Sequence, residues 1–225
     1  MDAGRSTSSA LATRPWLPRR RKPSVNMAPR KLPDLPAPPA DLAARGLPVR
    51  PFAGTLYRIH RLSLPPAHWG RTGNNRFDAA NGAFGVLYAA EHFDGAFIET
   101  FGDITPHRVS AESLERRGVA LVSTRRRLAL VDLAGPGLAQ LCLDARVSAG
   151  DHALPQQWSS ALWAHPAKID GIWYLARHDS DERSVALFDR ASSGVRITAA
   201  GGLLDPRNLP LTARAMDRYG FALLP

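Results

Sequence analysis

The chain has 225 residues, 44% of them hydrophobic, which suffices for one well-filled core and excludes two full domains. Ten of its 29 Lys+Arg but only three of its 20 Asp+Glu fall in residues 1–50, so most of the net +9 sits in that stretch. The basic balance is therefore no nucleic-acid footprint on the folded body, and no direct nucleic-acid partner is expected. A single cysteine, Cys142, excludes an internal disulfide framework and fits a reducing compartment. It lies in the apolar run LAQLCLD, which predicts a buried, inert thiol. The seven histidines form no HxxH or HExxH pair, so no metal site is expected. No apolar run approaches the ~20 residues of a bilayer span, and no hydrophobic segment follows the early arginines. A cytoplasmic protein is expected.

In chain order, residues 1–50 read as a disordered Pro/Arg-rich tail with the basic run Arg19–Arg20–Arg21–Lys22. Met27 opens MAPRKLPDLP and is an alternative start. One helical turn is expected near Asp41–Arg45, with Asp41 as its cap. The folded body, residues 51–225, opens near Gly54. TLYRIHRL alternates as a strand. A long loop follows, with turn signals at Gly-Asn-Asn and Asn-Gly. GVLYAA reads as a buried strand and Phe93–Phe101 as a short helix. ALVSTRRRLALVDL gives one or two strands with a junction at Arg125–Arg127. GPGLAQLCLDARV and LPQQWSSALWAHP read as helices, with Pro136 suited to the first turn of the former. DGIWYLARHDSDERSVALFDR reads as a hairpin turning at Asp179–Arg183, GVRITAAGG as a strand and LPLTARAMDRYGFAL as a closing helix. Strands and helices mix without regular βαβ alternation, so the expected class is α+β.

The chemistry concentrates between Tyr57 and Asp103. LYRIH carries Tyr57 and Arg58, GNNRFD carries Arg76, GVLYAAE carries Tyr88 and GAFIETFGD carries Glu99. Arginine forks match phosphate oxygens, an aromatic face stacks on a flat ring, and a carboxylate stabilises a developing oxocarbenium. Together they suit a dinucleotide that is cleaved rather than reduced. Each residue also has a plainer reading. Glu99 falls outside the apolar face made by Phe93, Ala96, Phe97 and Phe101, so it either meets solvent or faces a cleft. Arg58, inside an apolar strand, needs an anion, which a structural Asp or Glu would also supply. Tyr88 at a strand end also reads as a core ring, and Arg76 as turn decoration. AGPGLAQ imitates a dinucleotide-binding glycine loop but lacks its third glycine.

In order and spacing, YRIH, NNRFDAANGAFGVLYAAE, GAFIETFGD and DGIWYLARHD…VALFDR resemble the RES domain family, over roughly residues 54–195. The resemblance implies a single domain similar to ADP-ribosyltransferases. It implies an NAD-degrading enzyme, a phosphorylase or glycohydrolase, acting as the toxin of a toxin–antitoxin pair. NAD is then a substrate rather than a cofactor, with phosphate or water as acceptor. The implied protein partner is an Xre-type helix-turn-helix antitoxin, and a homodimer is admitted. Carried onto this chain, Arg58 and Arg76 would hold phosphate, with Tyr57 in the same substrate-binding set. Tyr88 would pack beside the nicotinamide ribose, and Glu99 would be the family's glutamate. Where the family has Tyr-x-Ser-Arg, this chain reads Tyr174-Leu175-Ala176-Arg177. A second reading follows: a catalytically weakened module that binds a nucleotide or the antitoxin.

Overall fold

The computed structural model describes residues 33–224. The basic run and Met27 lie outside the described residues. Asp34–Pro225 forms one compact unit. Its elements are β1 (Val49–Phe52), β2 (Thr55–Arg61), β3 (Val86–Ala90), α1 (Phe93–Phe101), β4 (Arg108–Ser110), α2 (Ala111–Glu115), β5 (Arg117–Thr124) and β6 (Leu128–Leu133). There follow α3 (Pro136–Gln140), α4 (Ala153–Ala164), β7 (Gly171–Leu175), β8 (Arg183–Phe188), β9 (Val195–Gly202), α5 (Leu209–Arg218) and β10 (Ala222–Leu224). The class is α+β, as expected, and the strand junction at Arg125–Arg127 and the 179–183 turn fall where the sequence places them. The short elements β1, β4, α2 and β10 are additions, since runs of three to five residues carry too little periodicity to be seen.

Eight strands form one mixed sheet in the order β1-β6-β7-β8-β3-β2-β5-β9, with β4 and β10 as a separate parallel pair. In the large sheet only β6 and β7 run parallel. The ladder is uneven at its centre. β3 matches β8 over five positions and β2 matches β5 over seven, but β2 and β3 share one register pair, Tyr57↔Ala90. The sheet therefore splits between β2 and β3 over most of their length, and a cavity lies there.

One face of the sheet carries Val86, Ile172, Tyr174, Ala186 and Phe188, covered by Phe77, Phe84, Trp158 and Leu162. The opposite face carries Leu56, Leu87, Val122, Leu130 and Leu187. A third cluster joins α1 to α5 through Phe93, Phe97, Phe101, Ala215 and Phe221. Each fully buried large side chain contributes roughly 1.5–3 kcal/mol. Helix α1 lies close on the sheet because Gly95 carries no side chain: a Cβ there would meet Glu182 Oε2 at 2.9 Å and the Ala90 Cβ at 3.2 Å. Gly102 does the same at the helix end, where a Cβ would come within 2.5 Å of the His178 ring. These two approaches press α1 against the β7–β8 hairpin.

Several expectations are corrected. The packed chain starts upstream of residue 51: Leu42 is buried in the core, and Trp158 Nε1 donates to the Pro36 carbonyl at 2.9 Å. Residues 34–50 lie on the body because Leu35, Leu42 and Leu47 cover apolar surface around Trp158. The turn near Asp41 exists as a 3₁₀ turn over Leu42–Ala44, but Asp41 does not cap it. Its carboxylate accepts from Arg45 instead, at 2.9 and 3.1 Å. The helix expected through Cys142 stops at Gln140. Cys142 adopts φ +57°, and the Leu143 N–H returns to the Leu138 carbonyl at 2.8 Å, a left-handed helix-ending turn. That turn sends Leu143 into the core and leaves Cys142 exposed, not buried.

Candidate functional site

The split holds a cavity of about 470 Å³, lined by Tyr57, Arg58, Arg76, Tyr88 and Glu99 together with Arg61, Arg117, Tyr174, Arg177, His178 and Ser184. All five residues singled out from the sequence thus converge on one space. Arg58 lies on the β2 face shared with Leu56, opposite that of Tyr57. Where the β2–β3 ladder is missing, its guanidinium takes over and donates to the carbonyls of Tyr88 (2.8 Å), Pro66 (3.1 Å) and His68 (3.3 Å). No carboxylate neutralises it, so the structural Asp or Glu allowed by the sequence is absent among the described residues. Burial pushes its pKa down to about 10, which leaves it protonated at neutral pH.

Arg76 is not turn decoration. It is 8% exposed and donates to the Gly150 carbonyl at 2.8 Å. Burial and the neighbouring Arg177 charge lower its pKa, while Tyr174, Glu99 and Tyr88 raise it. The loop that carries it is built on buried Asp78, which accepts from the Asn75 N–H (3.1 Å), Asn75 Nδ2 (3.0 Å) and Thr72 Oγ1 (3.3 Å). Tyr88 fastens the same loop: its hydroxyl donates to Asp78 Oδ1 at 3.0 Å and accepts from the Phe77 N–H at 2.9 Å. The hydroxyl is thereby occupied, and what Tyr88 offers the cavity is ring surface. Burial and the Asp78 charge push its pKa well above the ordinary value.

Glu99 leaves the apolar face of α1, as its helical position requires, and opens into the cavity. Oε1 accepts from the Arg177 N–H at 2.7 Å and Oε2 from the Tyr174 hydroxyl at 3.3 Å. It forms no ion pair among the described residues. Although accessible from the cavity, it is crowded by protein, and this desolvation raises its pKa against the opposing pull of the Arg177 N–H, His178, Tyr174 and Arg76. The other lining carboxylate, Asp103, is held by Arg177 Nη1 at 2.8 Å and His178 Nε2 at 3.2 Å.

Charge in the cavity is one-sided. Arg58, Arg61, Arg76 and Arg117 all line it without a carboxylate ion pair among the described residues. Arg61 and Arg117 face one another directly across β2 and β5, a like-charge register that costs stability in a sheet. Arg61, Arg117, Arg177 and Tyr174 were missed from the sequence as site members. The visible signal was an arginine closing β2 and another opening β5, but that they pair is not readable before the strands are matched. Ala176 is buried just beyond β7, its N–H donating to the Glu182 carbonyl at 3.1 Å, and it does not line the cavity.

A model of the RES domain matches residues 55–212, which covers β2 to β9, α1 and the hairpin. The chain belongs to the RES domain family. It is 36% identical over 117 residues to the probable toxin y4kH of Sinorhizobium fredii (strain NBRC 101917 / NGR234), covering 52% of this chain and 90% of that protein. Its fold is similar to a chain in the crystal structure of the M. tuberculosis MbcT–MbcA toxin–antitoxin complex. That match has a TM-score of 0.53 at 15% identity and covers 73% of this chain and 92% of the other. The single mixed α+β domain agrees with the expected ADP-ribosyltransferase-like architecture.

Proposed function

We propose that the protein cleaves the nicotinamide–ribose bond of NAD, with phosphate or water as acceptor, as the toxin of a toxin–antitoxin pair. The observation that carries this reading is Glu99: an unpaired carboxylate, held by two neutral donors, inside a cavity that four arginines without a carboxylate partner among the described residues also line. The arginines suit the pyrophosphate of a dinucleotide. Nicotinamide is a cationic leaving group and departs with the bonding pair, so no general acid is needed. Glu99 then faces the cationic ribosyl centre, where a fixed carboxylate lowers the barrier. Attack by phosphate gives ADP-ribose 1″-phosphate; attack by water gives ADP-ribose and a proton. The similarity to a probable toxin and to a toxin–antitoxin complex supports an antitoxin partner, which we assign to the Xre helix-turn-helix type. The test is incubation of the purified protein with NAD, with and without phosphate, following nicotinamide. Release above the buffer rate is expected, and its absence removes the reaction.

Ala176 favours a second reading, a weakened module that binds nucleotide or antitoxin through the same cavity. NAD binding without nicotinamide release is the result that would select it.

A further inference from the structure

We propose that Arg61 and Arg117 form a second anion subsite of the cavity, which takes a phosphate monoester on the adenosine ribose of the dinucleotide. The 2′-phosphorylated form of NAD is then the preferred substrate, an assignment that rests on the NAD-cleaving reading above. Both arginines line the cavity, and they are direct register partners across β2 and β5. Partners in an antiparallel ladder share a face, with backbones about 5 Å apart. Neither guanidinium makes a hydrogen bond or an ion pair among the described residues. Arg117 is half-buried, its guanidinium 6.0 Å from the centre of the Phe101 ring, and Arg61 is exposed. Burial, and after it the Arg61 charge, lowers the Arg117 pKa. Like charges in register cost stability, and an anion gripped by both forks removes that cost.

Position separates this pair from the reacting end. β2 meets β3 at Tyr57↔Ala90, and Arg61 lies four residues further along β2, beyond the last shared register position. By strand period Arg61 is on the Tyr57 face, which α1 covers, so the pair and Glu99 open to the same side of the sheet. Glu99 is held by Tyr174 of β7. In sheet order β7 is three strands from β2, roughly 14 Å at the usual strand spacing. A dinucleotide with its reacting ribose at Glu99 therefore lays its adenosine ribose toward β2. A free phosphate held by the pair would be too far from the ribosyl carbon to act as acceptor. Charge selects the ligand as well. A phosphate monoester carries about −1.5 to −2 at pH 7 and matches two forks, whereas a single carboxylate leaves one guanidinium uncompensated.

The test titrates ADP-ribose and its adenosine 2′-phosphate by calorimetry into wild type, Arg61→Gln and the double variant Arg61→Gln/Arg117→Gln. Wild type should bind the 2′-phosphate about ten- to a hundredfold more tightly, the effect of one or two charge-assisted hydrogen bonds. Arg61→Gln, at the exposed position, should lose part of that preference and the double variant nearly all of it. Circular dichroism reports that the variants are folded. Equal affinity of wild type for the two ligands overturns the subsite, as does a preference that survives in the double variant. Inorganic phosphate is titrated into wild type saturated with ADP-ribose. Phosphate binding that the double variant loses, with no 2′-phosphate preference in wild type, would assign the pair to free phosphate and overturn the proposal. Nicotinamide release from NAD and from its 2′-phosphate is followed alongside. If wild type releases none from either while the binding preference persists, the proposed reaction fails and the subsite stands.

Discussion

Two groups of arginines stand within a short distance of α1 and are treated in opposite ways. Near its N-terminus, Arg214 and Arg218 reach the buried Asp94 carboxylate at 2.8 and 3.0 Å, and Arg218 also reaches Glu182 (3.1 Å) and Asp179 (2.9 Å). In the cavity, Arg58 and Arg76 donate only to backbone carbonyls. Carbonyl dipoles fix a guanidinium in place without cancelling its charge. The first group is closed and holds α5 on α1; the second retains a positive field that only an anionic ligand completes.

The largest test of this contrast is Glu99→Gln, which keeps shape and removes the one unpaired negative charge in the cavity. Nicotinamide release should fall by about 10²–10³ or more, with circular dichroism unchanged. Next, Arg58→Ala should raise the apparent substrate constant, and Arg58→Lys should not restore it, because an ammonium cannot span three carbonyls and a phosphate fork together. Calorimetric NAD affinity equal to wild type in Arg58→Ala would take Arg58 out of the site. In the closed group the effect moves to stability. Asp94→Asn should cost about 1–3 kcal/mol, discounted because Arg214 and Arg218 are about half exposed. Melting should fall by about 2–4 °C per kcal/mol for a domain of this size, with turnover per folded molecule preserved.

The smallest effect is a pH limb. Glu99 must be ionised to act and its pKa is raised, so kcat/KM should fall on acidification at a pH above the ordinary glutamate range. For stability the sign is reversed. Between the ordinary and the raised pKa the folded state holds the extra proton, so stability declines as pH rises through that window. Glu99→Gln should abolish both dependences, as a rate profile and a melting series would record.

Much of this was legible in the sequence because it is local. Phe93–Phe101 shows its apolar face by period, and Glu99 is outside it by the same count. The loop asparagines and glycines announce the turns that deliver Arg76. What was not legible depends on pairing. That Arg61 opposes Arg117, that Ser184 stands beside Tyr174, and that β2 and β3 meet at one position are properties of register, which no single strand carries. Cys142 misled for a related reason: its neighbours continue an apolar rhythm, but a left-handed turn breaks the helix and reverses which residue faces inward. Leu35 and Leu42 were lost among prolines because their partner, Trp158, is more than a hundred residues away.

The single β2–β3 register pair also bears on mechanics. The eight strands act as two plates, β1-β6-β7-β8-β3 and β2-β5-β9, joined by α1, the Tyr57↔Ala90 step and the Arg58 clamp on the Tyr88 carbonyl. A molecule held from both sides of the gap serves as a missing rung. It ties the plates together without altering either, so its first signature is slower amide exchange along the facing edges of β2 and β3 rather than a change of shape.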